Sequence, residues 1–207
     1  MLNGGYILDT KLDPRVKRTR AMFEKSLLDL MDEKEYRSIT VLEIAQRSTL
    51  NRATFYLHYY DKDHLLEQIL DEALNDLKIS VEVKAVEYEY KSENPHPIFV
   101  RLFEKMIEKN KFYQIMLVRE NNYYFTEAVR KIIKDFVKEG TSYMRNQDIT
   151  YKVPVDLSVA YITSAYLGVI IWWLKNDMPY TPTYMATQLT RMSTVGPFAD
   201  NPFLNSD

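Results

Sequence analysis

The stretch that decides the reading is TVLEIAQRSTLNRATFYLHYYDK, residues 40–62. Thr40 followed by Glu43 is a capping box, in which each side chain can satisfy an orphan amide of a first helical turn. Asn51 is a second N-cap, and Asp61 a third. A helix with Val41, Ile44 and Ala45 inward runs only to about Arg47 or Ser48, and one that begins after Asn51 must end before Asp61. Two short capped helices with only Ser48, Thr49 and Leu50 between them have the layout of a helix-turn-helix.

Spacing then sets the faces of the second short helix. Phe55 and Tyr59 lie four residues apart and, with Leu50, can bury against Ile44 and the preceding helix. Arg52, Ala53 and Tyr56 fall on the outward side, with Thr54 and His58 on one flank. An arginine can bond guanine O6 and N7 together, threonine and alanine can meet a thymine methyl, and tyrosine can reach a base or a phosphate. Lys62 places a cation beside the amide ends of the next helix, where a phosphate would sit.

Working outward, glycine is absent from Tyr6 to Glu139, which leaves few glycine-dependent turns and biases the chain toward helices. Asp13-Pro14 opens a helix over about 14–33 carrying Val16, Phe23, Leu27, Leu30 and Met31. Asp61 opens another, whose stripe is Leu65, Leu66, Ile69, Leu70, Ala73, Leu74 and Leu77. Residues 80–90 alternate like a strand, but with no partner strand nearby they are read as helix or irregular structure. Further helices follow from Phe99, from Phe112 to Val118, from Phe125 with a mild interruption at Gly140, from Pro154 or Val155 to about Asn176, and from Thr181-Pro182 to Gly196-Pro197. The expected fold is all-α with about nine helices: an N-terminal three-helix domain over 1–60 and a larger C-terminal helical domain over 61–207.

Composition narrows the function. With 46% hydrophobic and 27% charged residues the chain reads as an ordinary globular protein. The absence of cysteine excludes disulfides, thiolate nucleophiles and zinc-thiolate sites. His58, His64 and His96 include no pair at i, i+4 spacing, so no metal site is expected, and no cofactor is. The carboxylates are scattered over polar helix faces without a catalytic constellation, which argues against an enzyme. The first residues lack a secretory signal, so a cytoplasmic location is expected. Residues 157–174 are uncharged and barely long enough to span a bilayer; their two serines, threonine and two tyrosines favour a helix buried on both sides. The net charge is −2, yet Lys11, Arg15, Lys17, Arg18, Arg20 and Lys25 face only Asp13 and Glu24, so one end is locally basic.

The segments ITVLEIA (39–45) and NRATFYLHYYDKDHLL (51–66) closely resemble the DNA-binding region of TetR-family transcriptional regulators, with the T-F-Y-x-H-Y and D-K-x-x-L-L elements in order. Residues 163–189 resemble a TetR-type C-terminal region. The resemblance implies a homodimer that binds a double-stranded DNA operator through its first three helices, pairs through its last two, and answers a small-molecule effector, by default as a repressor. It puts Arg52, Ala53, Thr54 and Tyr56 at the groove, Leu57, His58 and Lys62 at or near phosphates, and Thr40 at a further phosphate. One departure is Thr49, where the family often has glycine; a β-branched residue is costly at positive φ.

Among the rings and other large side chains of the C-terminal half, Tyr113, Met116, Tyr124, Tyr161, Tyr166 and Trp172 are candidate ligand contacts, although core or dimer packing explains most of them more cheaply. Trp172, Trp173 and Gly168 suit a close helix-to-helix interface. The competing readings are an activator on the same fold, a helical enzyme or small-molecule binding protein without DNA function, and a membrane protein anchored by 157–174.

Overall fold

A computed structural model of the chain describes residues 13–82, 94–146, 153–194 and 196–197. The described residues form nine α-helices and no strand, and they divide into two compact units, 1–70 and 71–207.

The first unit holds α1 (Pro14–Glu33), a 3-10 turn (Tyr36–Ser38), α2 (Val41–Arg47), α3 (Arg52–Tyr56) and the start of α4 (Lys62–Ser80). Each start is capped as its sequence predicts. Asp13 accepts from the Arg15 amide at 2.8 Å, Asn51 from Ala53 at 2.8 Å, and Asp61 from His64 at 2.7 Å. The core is built from rings: Phe55 meets Phe23 edge-on at 5.2 Å and Tyr59 at 5.4 Å, beside the fully buried Ile44 and Leu65. A helix of five residues has no stability of its own. Its position comes from this ring contact.

Thr49 carries the turn between α2 and α3 at φ 57°. Its amide donates to Gln46 O at 3.1 Å, and the Leu50 amide donates to Ala45 O at 3.0 Å, so α2 ends in a Schellman motif with threonine in the left-handed position. The family's glycine turn is thus kept in shape, and a β-branched side chain bears the strain. Replacing Thr49 with glycine is expected to stabilise the protein by about 1 kcal/mol, the order of the left-handed penalty. That corresponds to a melting temperature higher by about 2–4 °C; a lower one would show that the turn is unstrained.

The second unit begins inside α4 and continues with α5 (Pro97–Glu108), α6 (Asn110–Gln114), α7 (Tyr123–Asn146), α8 (Val155–Lys175) and α9 (Pro182–Thr194). α7 packs along α8, and α5 along α9. His96 caps α5 with its ring nitrogen and donates its amide to the Thr190 hydroxyl at 2.8 Å, while Phe103 meets Trp173 edge-on at 5.0 Å.

Four details differ from or refine the sequence reading. The apolar segment 112–118 is not one helix: α6 ends at Gln114 and passes into a π-helical turn, Ile115–Arg119. Gly140 does not interrupt α7, because an isolated glycine costs helix stability without breaking the hydrogen-bond ladder. Of residues 80–90, α4 takes Ser80, and 83–93 lie outside the described residues. Finally, α8 is not buried on both sides. It is long and apolar enough to cross a membrane by length and composition, yet only 39% of its apolar window is buried. Leu157, Tyr161 and Trp172 are 60%, 73% and 48% exposed.

Candidate nucleic-acid interface

α3 presents one face to the core and one outward, as the spacing requires. Phe55 and Tyr59 are buried. Arg52, Ala53, Tyr56 and Leu57 are exposed, with Thr54 and His58 half-buried on the flank. Arg52 and Tyr56 form a unit, in which the guanidinium donates to the Tyr56 hydroxyl at 3.1 Å and lies 5.5 Å from the ring centre. One turn of helix separates them, so the arrangement follows from i, i+4 spacing. Burial, and then the nearby Arg20, lower the pKa of His58, which keeps its ring neutral near pH 7.

Thr40 is exposed at the start of α2, with its hydroxyl engaged in the capping box. It donates to Glu43 at 2.9 Å, and the Glu43 amide donates back to it at 3.3 Å. Lys34 bonds the same carboxylate at 2.5 Å, and this bond, with those from Thr40, holds the Glu43 pKa down to about 2. Arg47 grips Glu33 with both terminal nitrogens, at 2.8 and 2.6 Å, which ties α2 to the end of α1. Arg15, Lys17 and Arg18 are exposed near the start of α1.

Lys62 is engaged within its own chain. The resemblance puts it at or near a phosphate, but its ammonium donates to the carbonyls of Tyr36, Arg37 and Ile39, at 3.0, 3.1 and 2.8 Å. An ammonium has three protons, and all three are placed. Sequence reasoning also passed over Tyr36, whose hydroxyl donates to Asp63 at 2.5 Å. A single tyrosine in a run of charges carries no periodic signal that would have marked it.

The profile of bacterial regulatory proteins of the tetR family matches residues 26–69, and that of a TetR-type transcriptional regulator C-terminal region matches residues 93–194. The chain belongs to the TetR family.

The chain is 24% identical over 194 residues to an uncharacterized HTH-type transcriptional regulator, YxbF, of Bacillus subtilis (strain 168). That match takes in 90% of this chain and 47% of YxbF, so the chain spans about half the length of this curated relative. Its fold is similar to that of the fatty acid degradation regulator FadR of Bacillus halodurans, with a TM-score of 0.63, 16% identity, and coverage of 88% of this chain and 96% of that one. It is also similar to PfmR, a TetR-family regulator of Thermus thermophilus, with a TM-score of 0.61, 22% identity, and coverage of 83% and 95%.

The large side chains picked out in the C-terminal half occupy different surroundings. Tyr113 and Met116 are fully buried core. Burial raises the pKa of the Tyr113 hydroxyl, so it stays protonated. Tyr161 and Tyr166 line a groove of about 600 Å³ between α8 and α9, with Leu157, Ile162, Leu189 and Met192. There the Tyr166 and Ser193 hydroxyls lie 2.8 Å apart. Tyr124 and Trp172 are exposed, and Trp172 stacks against Tyr180. Among the described residues no group of histidine and carboxylate side chains is placed to hold a metal ion.

Proposed function

We propose that the regulator is a homodimer that binds a near-palindromic DNA operator through α3 and represses transcription until a small molecule releases it. The observation that carries this reading is the Arg52–Tyr56 pair, held outward on a five-residue helix whose other side is locked into a ring core. A helix built only for packing has no need of such a face. Arg52, Ala53, Thr54 and Tyr56 are assigned to the major groove, with Leu57, His58 and Thr40 toward the phosphates.

The dimer is assigned to α8 and α9. Exposed Leu157, Tyr161 and Trp172 recur along one side of α8, and Gly168 has open space around the position of a Cβ, so its missing side chain serves no contact within this chain. The groove that holds Tyr161 is lined without any charged residue, which suits burial by a second copy.

Selection of duplexes from a random pool should return one preferred near-palindromic sequence, and a metabolite panel then identifies the compound that releases it. Replacing Arg52 or Tyr56 with alanine is expected to weaken binding of that duplex by about 1 to 3 kcal/mol while the circular dichroism spectrum stays unchanged. Wild-type affinity in both variants would remove this face from the interface. A promoter reporter gives the sign of regulation: expression rises on deletion for a repressor and falls for an activator.

A further inference from the structure

We propose that Lys62 and Asp63, the first two residues of α4, bolt the Tyr36–Ile39 turn in place and thereby position α2 and α3 for DNA, so that Lys62 is a positioning residue and makes no phosphate contact. The proposal rests on the DNA-binding reading above.

The bolt has two parts. The Lys62 ammonium takes three carbonyls of one turn and lies 4.6 Å from the centre of the Tyr36 ring. Asp63 takes the hydroxyl of that same ring, at 2.5 Å. Burial first, and the Asp63 bond second, raise the Tyr36 pKa, so the hydroxyl stays protonated and remains a donor. Carbonyls that converge on one cation are held as a set, because losing the cation leaves several acceptors unpaired together. The turn they belong to ends at Ile39, next to Thr40, which caps α2 through Glu43. From there the chain has no slack: α2 passes through the Thr49 turn directly into α3, and the Arg47–Glu33 pair closes the other end of α2. A shift of the first turn of α4 therefore carries the start of α2 with it.

A positioning residue and a phosphate contact differ in what their loss does. Losing a phosphate contact weakens every duplex equally and reduces the salt slope by about 0.9. Losing a positioning residue weakens the preferred duplex alone. Lys62→Met is expected to lower affinity for the selected duplex about tenfold, the cost of one poorly read base pair, with affinity for a scrambled duplex and both salt slopes unchanged. Tyr36→Phe removes one hydroxyl and leaves the core intact. It should cut selected-duplex affinity about threefold, a fraction of one mismatch, and speed amide exchange at Thr40 to Glu43 in the DNA-free protein.

Equal weakening of both duplexes with a shallower slope in Lys62→Met would overturn the proposal in favour of a phosphate contact. Wild-type affinity and exchange in Tyr36→Phe would overturn it whether or not Lys62→Met folds. If the wild-type protein does not distinguish selected from scrambled duplex, the DNA reading fails, and the exchange measurement still decides whether the bolt exists.

Discussion

Phe55→Ala is expected to destabilise the first unit by about 3–5 kcal/mol, the range for removing a fully buried aromatic ring. The ring has no exposed surface and meets Phe23, Tyr56 and Tyr59 at 5.2, 5.6 and 5.4 Å, so the cavity would open at the junction of α1, α3 and the start of α4. A loss of this size is comparable to the whole stability of a small helical unit. Urea unfolding followed by circular dichroism should show an early transition that takes part of the helical signal, with DNA binding lost in the same range. A loss below about 1 kcal/mol would mean that the site collapses without the ring, and that something other than Phe55 holds α3.

The second large effect is expected on assembly. Tyr161→Asp should convert the proposed dimer to a monomer at micromolar concentration. Burying a large apolar side chain contributes about 1.5–3 kcal/mol, and a two-fold interface counts each residue twice, so the loss is roughly 3–6 kcal/mol per dimer. Tyr161 is largely exposed within its own chain, so its replacement should leave the melting behaviour of the isolated subunit nearly unchanged. Sedimentation velocity separates the outcomes, and a variant that sediments as the wild type does would move the interface off this face. A monomer should also bind the selected duplex far more weakly, because the second half-site no longer adds to the first.

Much of the first unit was legible because its signals are local. The boundaries of α1, α2 and α3 follow from Asp13-Pro14, the Thr40–Glu43 box and Asn51, each a side chain that meets an amide two or three residues away. The inward turn of Phe55 and Tyr59 follows from their separation by one helical turn. The partners of Lys62 escaped notice for the converse reason: its carbonyl partners lie 23 to 26 residues earlier, and nothing in a sequence brings them into view. The exposure of α8 was hidden differently. An apolar helix looks the same in sequence whether or not its own chain covers it. The π-helical turn at Ile115–Arg119 left no mark either, since a register change of one residue alters no residue type. The candidate ligand residues scattered because large rings fill cores, seams and grooves alike.

The contact between Arg52 and Tyr56 has a consequence for timing. An arginine free in solvent gives up about 0.5–1.5 kcal/mol of rotamer entropy when a partner immobilises it. Here part of that freedom is surrendered when the chain folds, because the guanidinium is already anchored on a ring that is itself braced against Phe55. In the proposed major-groove contact the side chain would meet a base edge with less left to lose, and the gain would be felt as longer residence on the right sequence rather than faster arrival at any.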